Sequence, residues 1–263
     1  MSFTDYYNFL KEDQNNISFW YPKIKDCGLL VPETFIITAP EDIVLSFSME
    51  GNMQENIDKV YQWVKVEVLP VLPENLRGLV FMKNGTFSNK FDFGTCAIRA
   101  NGLEIARNLI EINYVSMMFE TGGNTEVAFR ERISYDPEKT PCIYHGMPLR
   151  NEYRIFFNFD TKKALYGVNY WDWDYCHDDI SRDFTDKIIY ETVYPDIQKR
   201  FEANKDNVMM IVEEKMRNVE GLAGIWSVDI LEDEEHSLWL IDMAVGCCSA
   251  YWNPELIGQN KNL

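Results

Sequence analysis

Apolar positions recur along this 263-residue chain in two rhythms, and the changes between them mark its elements. Ile57, Val60, Tyr61, Val64 and Val68 fall at helical spacing, and Pro70 and Pro73 stop the run. Leu103, Ala106, Leu109, Ile110, Ile112, Tyr114, Val115 and Met118 repeat that spacing and predict a helix over 103–119 that ends at Thr121-Gly122-Gly123. A further helix is expected over about 186–217, broken near Pro195 because proline lacks an N–H and crowds the preceding turn. Residues 1–18 read as a short helix and a polar loop, and 19–25 as a helix or turn before a break at Gly28. Short apolar or alternating runs predict strands over 35–38, 78–82, 95–100, 126–133, 148–159, 163–175, 226–230 and 238–244. From residue 103 the order is helix, three strands, helix, two strands. Hairpin-linked strands with helices on one face make an antiparallel α+β lobe. A linker at 74–78 (ENLRG) places a boundary between an N-terminal α/β segment, 1–77, and a core, 78–263.

Composition narrows this picture. The chain is 46% hydrophobic and 14% aromatic, enough for one large domain or two small lobes. A net charge of −17 argues against a nucleic-acid binder, which would carry a basic face. No apolar run approaches the roughly 18 residues of a membrane-spanning helix, and the first residues lack the basic-then-apolar order of a signal peptide. Cysteines 27, 96, 142, 176, 247 and 248 have no framework spacing, which suits a reducing cytoplasm. Cys142/His145, Cys176/His177 and Cys247/Cys248 do not form the paired spacing of a zinc site.

Three stretches carry candidate chemistry. The first is a hairpin in which Trp226–Leu231 (WSVDIL) and Leu238–Ala244 (LWLIDMA) each hold one carboxylate, Asp229 and Asp242, in an apolar run. Acids on paired strands can meet across the pair, and together they call for a cation such as Mg2+. The plain alternative is a surface hairpin with solvated acids. The second stretch is 83–91 (KNGTFSNKF), where a strand ends in Lys83 and opens a loop of Gly85, Thr86, Ser88 and Asn89 before Lys90. Backbone N–H groups of such a loop can hold phosphate oxygens, with the lysines adding charge. An ordinary Asn-Gly turn is the alternative, and the loop is not a Walker sequence. The third stretch is 152–157 (EYRIFF), in which Glu152 and Arg154 alternate with apolar residues and so share a strand face. The aromatic-acid run at 170–175 reads as a packed strand end with solvated acids.

Taken in order, these residues resemble the ATP-grasp superfamily. The likeness is to the divergent branch of phage and bacterial ATP-grasp proteins and the eukaryotic cell-division-cycle relatives involved in assembling a translation initiation factor. It is spread over roughly 19–245. Residues 20–37 (WYPKIKDCGLLVPETFII) resemble its lysine-led entry segment, 80–91 its strand-lysine-loop element, 127–133 its hinge strand, 151–157 its E-[FY]-R strand, and 228–231 with 238–244 its metal-binding strands. The resemblance implies an α+β fold of two lobes with ATP between them and a C-terminal antiparallel sheet. It assigns Lys83 to catalysis and to the ATP phosphates or the adenine side, Arg154 to catalysis and to phosphate or acyl phosphate, Lys23 to the family's upstream ATP-binding lysine, and the loop of Gly85, Thr86, Ser88 and Lys90 to phosphate closure. Glu131 and Ile133 would present backbone to adenine, Glu152 would hold the ribose, and Asp229 and Asp242 would bind Mg2+. It implies an ATP-dependent carboxylate-amine or carboxylate-thiol ligase with ATP and Mg2+ as cofactors. The alternative on the same fold is a non-catalytic ATP-binding assembly factor or chaperone with a protein partner. A third reading, a binding protein unrelated to nucleotides, stays open. Two departures stand out: Ala244 replaces the asparagine that completes the family's metal site, and Trp226 and Ser227 stand where an arginine often precedes the first metal acid.

Overall fold

The computed structural model of the protein describes residues 2–47, 51–118 and 123–259. The chain divides into two compact units, Met1–Phe19 with Pro32–Ile133, and Trp20–Val31 with Ser134–Leu263.

The first unit contains α1 (Phe3–Lys11), β1 (Thr34–Thr38), α3 (Glu41–Ser46), α4 (Met53–Trp63), β2 (Leu79–Asn84), β3 (Ala97–Arg99), α5 (Gly102–Met118) and β4 (Glu126–Glu131). The helix α2 (Ile17–Ile24) lies between α1 and β1 in sequence. The four strands form an antiparallel sheet in the order β1-β4-β2-β3. The boundary expected at 77–78 falls inside this unit, because β1 before it pairs with β4 after it. Capping starts the helices as the sequence allows: Ser2 and Asp5 make a reciprocal capping box on α1, and Asn52 accepts from the first N–H groups of α4. The α4 periodicity continues to Val68, but its last turn, Val64–Val68, is a π-helix. The expected end of the second helix, at Phe119 to Gly122, lies outside the described residues. Val80, Met82, Ile98, Val127 and Phe129 are buried, and α5 packs against β2 and β3.

The second unit contains β5 (Cys142–Ile143), β6 (Met147–Pro148), β7 (Glu152–Asn158), β8 (Lys163–Asn169), α6 (Trp173–Ile180), α7 (Phe184–Met216), β9 (Ile225–Glu232), β10 (Leu238–Val245) and α8 (Pro254–Gln259). Its main sheet is antiparallel in the order β10-β9-β7-β8, and β5 pairs with β6. Two sequence expectations are corrected here. The strand expected over 163–175 stops at Asn169, whose side-chain oxygen accepts the Trp171 N–H at 3.0 Å and turns the chain into α6. The expected break at Pro195 is absent, and α7 runs unbroken for 33 residues. An interior proline costs about 3 kcal/mol. Tyr190 ahead of it, and Ile197, Phe201, Val208, Val212 and Met216 beyond it, are all buried. Each such side chain is worth roughly 1.5–3 kcal/mol, so packing on both sides outweighs the proline.

Candidate functional site

Strand register decides which charged residues share a face. In the second unit Arg154 lies opposite Asp229, and Asp229 lies opposite Asp242. Residues directly opposite in an antiparallel pair project to the same side. Arg154, Asp229 and Asp242 therefore form one row across β7, β9 and β10. A bulge produces this row. Leu240 pairs with Ile230, and the next pair is Asp242 with Asp229, so Ile241 is the extra residue. Were Ile241 paired regularly with Asp229, Asp242 would lie opposite Val228 and project to the other face. Glu152 falls one pair along on the same face, in line with Leu231 and Trp239, and Phe156, Ser227 and Ala244 form the row beyond.

The opposite face is apolar. Val228, Ile230, Tyr153, Ile155 and Phe157 are buried there, and α7 packs against β7 and β8. Ion pairs tie α7 to the sheet: Lys163 of β8 meets Glu213, and Arg200 binds the Glu232 carboxylate, which also accepts from Tyr153 Oη at 3.0 Å.

On the charged face each of the three Arg154 guanidinium nitrogens makes a hydrogen bond. Nε donates to Asp229 Oδ1 at 2.8 Å, Nη2 to Oδ2 at 2.7 Å, and Nη1 to the Ala250 carbonyl at 3.3 Å. Its flat face lies 5.0 Å from the centroid of the Tyr170 ring. The segment after β10 is held where Ala250 can reach: Ser249 Oγ lies 2.6 Å from Ser227 Oγ, and Tyr251 Oη donates to the Tyr170 carbonyl at 2.8 Å. Burial disfavours the charge on Arg154, but the Asp229 carboxylate more than offsets it, with help from Tyr170 and Asp242, and the arginine is held more firmly protonated than usual.

As placed, the two acids fit a resident Mg2+ poorly. Both Asp229 oxygens already accept from Arg154, and Asp242 Oδ1 accepts its neighbour's N–H, from Met243 at 3.1 Å. Ala244 offers no ligand. Among the described residues no group of three or more His, Cys, Asp or Glu side chains converges as a metal site.

In the first unit Lys83 is buried in β2 opposite Ala128. Glu126, Ala128 and Arg130 alternate along β4, so Lys83 shares a face with Glu126 and Arg130, both also buried. Burial raises the Glu126 carboxyl above its ordinary range, while hydrogen bonds from Ser18 and the charge of Lys83 act against the shift. Arg130 Nε donates to Thr34 Oγ1 at 3.0 Å.

The loop after β2 turns inward. Gly85 N–H donates to Asn124 Oδ1 at 3.1 Å, and Thr86 and Phe87 N–H donate to Asn84 Oδ1 at 3.0 and 2.6 Å. Of the loop amides expected to face phosphate, those of Thr86 and Phe87 close an Asx turn on Asn84, and that of Gly85 meets Asn124. A Cβ on Gly85 would come within 2.5 Å of Asn124 Oδ1, so glycine is needed for this close approach. Ser88 is half-buried beyond the turn, and Lys90 opens a 3-10 segment, Lys90–Thr95. Glu131 closes β4 on the surface; its N–H donates to the Glu33 carbonyl at 2.8 Å, and Ile133 follows the strand's end.

Lys23, in the last turn of α2, belongs to the second unit and is not in the Arg154 row. It lines a surface cavity of about 490 Å3 with Asp26, Cys27, Lys215, Arg217 and Glu220. Burial lowers its ammonium pKa.

Several residues of these faces escaped the sequence reading. Glu126 and Arg130 carried a signal, the period-two alternation of 126–130. Asn113, polar on the buried side of α5, carried another. It accepts from Asn84 Nδ2 at 3.1 Å. Ala250 and Tyr170 carried none, because a carbonyl and a ring face are not legible as arginine partners.

The comparisons with known proteins can be set beside this geometry. No family model matches the chain, and no curated protein matches its sequence. The fold of the chain resembles that of solved structures. It is similar to Cdc123 from Schizosaccharomyces pombe, with a TM-score of 0.51 at 15% identity over 94% of this chain and 87% of that one. A C-terminally truncated form of Cdc123 gives 0.50 at the same identity and coverage. A RimK-domain ATP-grasp protein from Sphaerobacter thermophilus gives 0.40 at 9% identity, over 94% of this chain and 63% of that one. No helix among the described residues is long and apolar enough to cross a membrane.

Proposed function

We propose that this protein binds ATP. The observation that carries the reading is the charge gathered on one face of each sheet: the buried Lys83, Glu126 and Arg130 in the first, and the buried Glu152 and Asp229 with the half-buried Arg154 and Asp242 in the second. Buried ions are costly unless they are paired or serve a charged ligand. Lys83 and Lys90 would serve the phosphates, Glu152 the ribose, and the backbone at Glu131 and Ile133 the adenine edge. Lys23 would serve only if its cavity takes part.

In the ligase reading, the γ-phosphoryl group passes to a substrate carboxylate oxygen, the bond to the β-phosphate oxygen breaks, and ADP leaves. An amine or thiol then attacks the acyl carbon, loses its proton, and expels inorganic phosphate. Arg154 would neutralise the acyl phosphate, a positioning and electrostatic role. A second reading, an ATP-binding assembly factor without turnover, is favoured by the closed Arg154–Asp229 pair and by Ala244 beside it. Both readings suit a cytoplasmic protein that uses neither nucleic acid nor membrane.

Thermal melting with ATP and ADP tests the common claim. A ligand that binds only the folded state at about 100 times its Kd adds roughly 2.7 kcal/mol. Lys83→Met should abolish most of the shift. Absence of any shift with either nucleotide at millimolar concentration would overturn the proposal. Hydroxylamine, which traps acyl phosphates as hydroxamates, separates the two readings when carboxylates are supplied.

A further inference from the structure

The acid row of the second unit already contains a cation. The Arg154 guanidinium meets both oxygens of Asp229 side-on, at 2.8 and 2.7 Å, and the two side chains are only 12% and 8% exposed. Bidentate pairing of this kind fixes geometry as well as charge. Its seat is made by separate stretches of chain: β9 supplies Asp229, the turn after β8 supplies the Tyr170 ring, and the segment after β10 supplies the Ala250 carbonyl. The Ser249–Ser227 and Tyr251–Tyr170 hydrogen bonds keep that last segment in place. A divalent ion entering between Asp229 and Asp242 would have to displace the guanidinium from both oxygens and leave it buried without its partner, which is the costly way to break a buried pair. On the same face the Ser227 hydroxyl is already met by Ser249, and Glu152, one row along with Leu231 and Trp239, does not converge with the two aspartates as a metal-ligating group among the described residues. Mg2+ demands near-octahedral oxygen coordination and gives up its water reluctantly, so it gains little here.

We infer that Arg154 is the built-in counter-cation of the Asp229/Asp242 row, so that this row takes no divalent ion and nucleotide binds to the chain equally well without metal. The second half of the inference rests on the ATP-binding reading above; the first half does not.

The test uses Mn2+ alone as probe, followed by electron paramagnetic resonance on the full chain without nucleotide, and ADP titrations in EDTA and in excess Mg2+. The wild type should bind no Mn2+ at millimolar concentration. Arg154→Met should gain a Mn2+ site at least tenfold tighter than any in the wild type, and adding Asp229→Asn should abolish it. The Kd for ADP should agree within twofold in EDTA and Mg2+. Stoichiometric Mn2+ binding by the wild type that is lost in Asp229→Asn would overturn the inference, as would a tenfold weaker ADP affinity in EDTA. The wild-type measurement decides the matter even if Arg154→Met fails to fold, and a folded Arg154→Met that gains no Mn2+ site counts against it. If ADP does not bind under either condition, the ATP-binding proposal falls, and the Mn2+ measurement still decides whether the arginine fills the row.

Discussion

Replacing Asp229 with asparagine is the sharpest single perturbation of the second unit. The change is nearly isosteric, so it leaves packing intact and removes one charge. The residue sits mid-strand in β9, and its partner Arg154 is 12% exposed. Breaking a buried ion pair by removing one member typically costs 3–5 kcal/mol, because the other charge stays buried without compensation; exposed pairs cost about 0–1 kcal/mol. The Ala250 carbonyl and the Tyr170 ring remain as partners, and an asparagine oxygen can still accept one hydrogen bond, so about 3 kcal/mol is expected. For a chain of this size that corresponds to a fall in Tm of roughly 6–12 °C. Tryptophan fluorescence in urea reads it selectively: Trp63 is the only tryptophan of the first unit, and the other six of the seven lie in the second. Arg154→Met/Asp229→Leu should be more stable than Asp229→Asn, since replacing both partners by apolar groups removes the charge that the single change orphans. A loss under about 1 kcal/mol for Asp229→Asn would place the pair among surface ion pairs and refute the reasoning.

Deleting a residue from the middle of a strand ordinarily flips every later side chain to the other face. Deleting Ile241 should be tolerated instead, because it removes the bulge and leaves Asp242 opposite Asp229, whereas deleting Val228 from the regularly paired β9 should unfold the second unit. Comparable urea midpoints for the two deletions would count against the bulge. The acid limb of stability should depend on Glu232: burial alone would raise its carboxyl, but the hydrogen bonds from Arg200 and Tyr153 hold it below its ordinary 4.5. A depressed folded-state value stabilises above the unfolded pKa and loses that contribution as pH falls through the folded one. Glu232→Gln should therefore be less stable than wild type at neutral pH, with the gap closing below about pH 4.5; parallel stability curves down to acid pH would contradict it.

The two short runs that hold Asp229 and Asp242 were legible as a hairpin because each is apolar, bounded by a polar turn, and rich in β-forming residues. That the two acids share a face was not legible. A strict count of two along β10 from its pairing at Leu240 puts Asp242 on the wrong side, and a bulge leaves no mark in composition. The alternation of Glu152 with Arg154 correctly placed both on one face, since a period of two belongs to a single strand and needs no partner. In 85–87 the residue types were right for a turn. The Thr86 and Phe87 N–H groups turn to the nearby Asn84, but where the Gly85 N–H points depended on Asn124, which arrives from another part of the chain.

The sequence by itself determined which stretches are strand and which helix wherever periodicity is long, the antiparallel α+β character of the second half, and the set of charged residues placed within apolar runs. These follow from side-chain spacing and backbone preference, which act locally. The tertiary structure alone decided that α7 passes through Pro195, that Glu126 and Arg130 join Lys83 on one buried face, and that Arg154 rather than solvent meets Asp229. Each of these depends on burial and strand register. Both are set by contacts between residues far apart in the chain, where packing outweighs a local preference of a few kcal/mol.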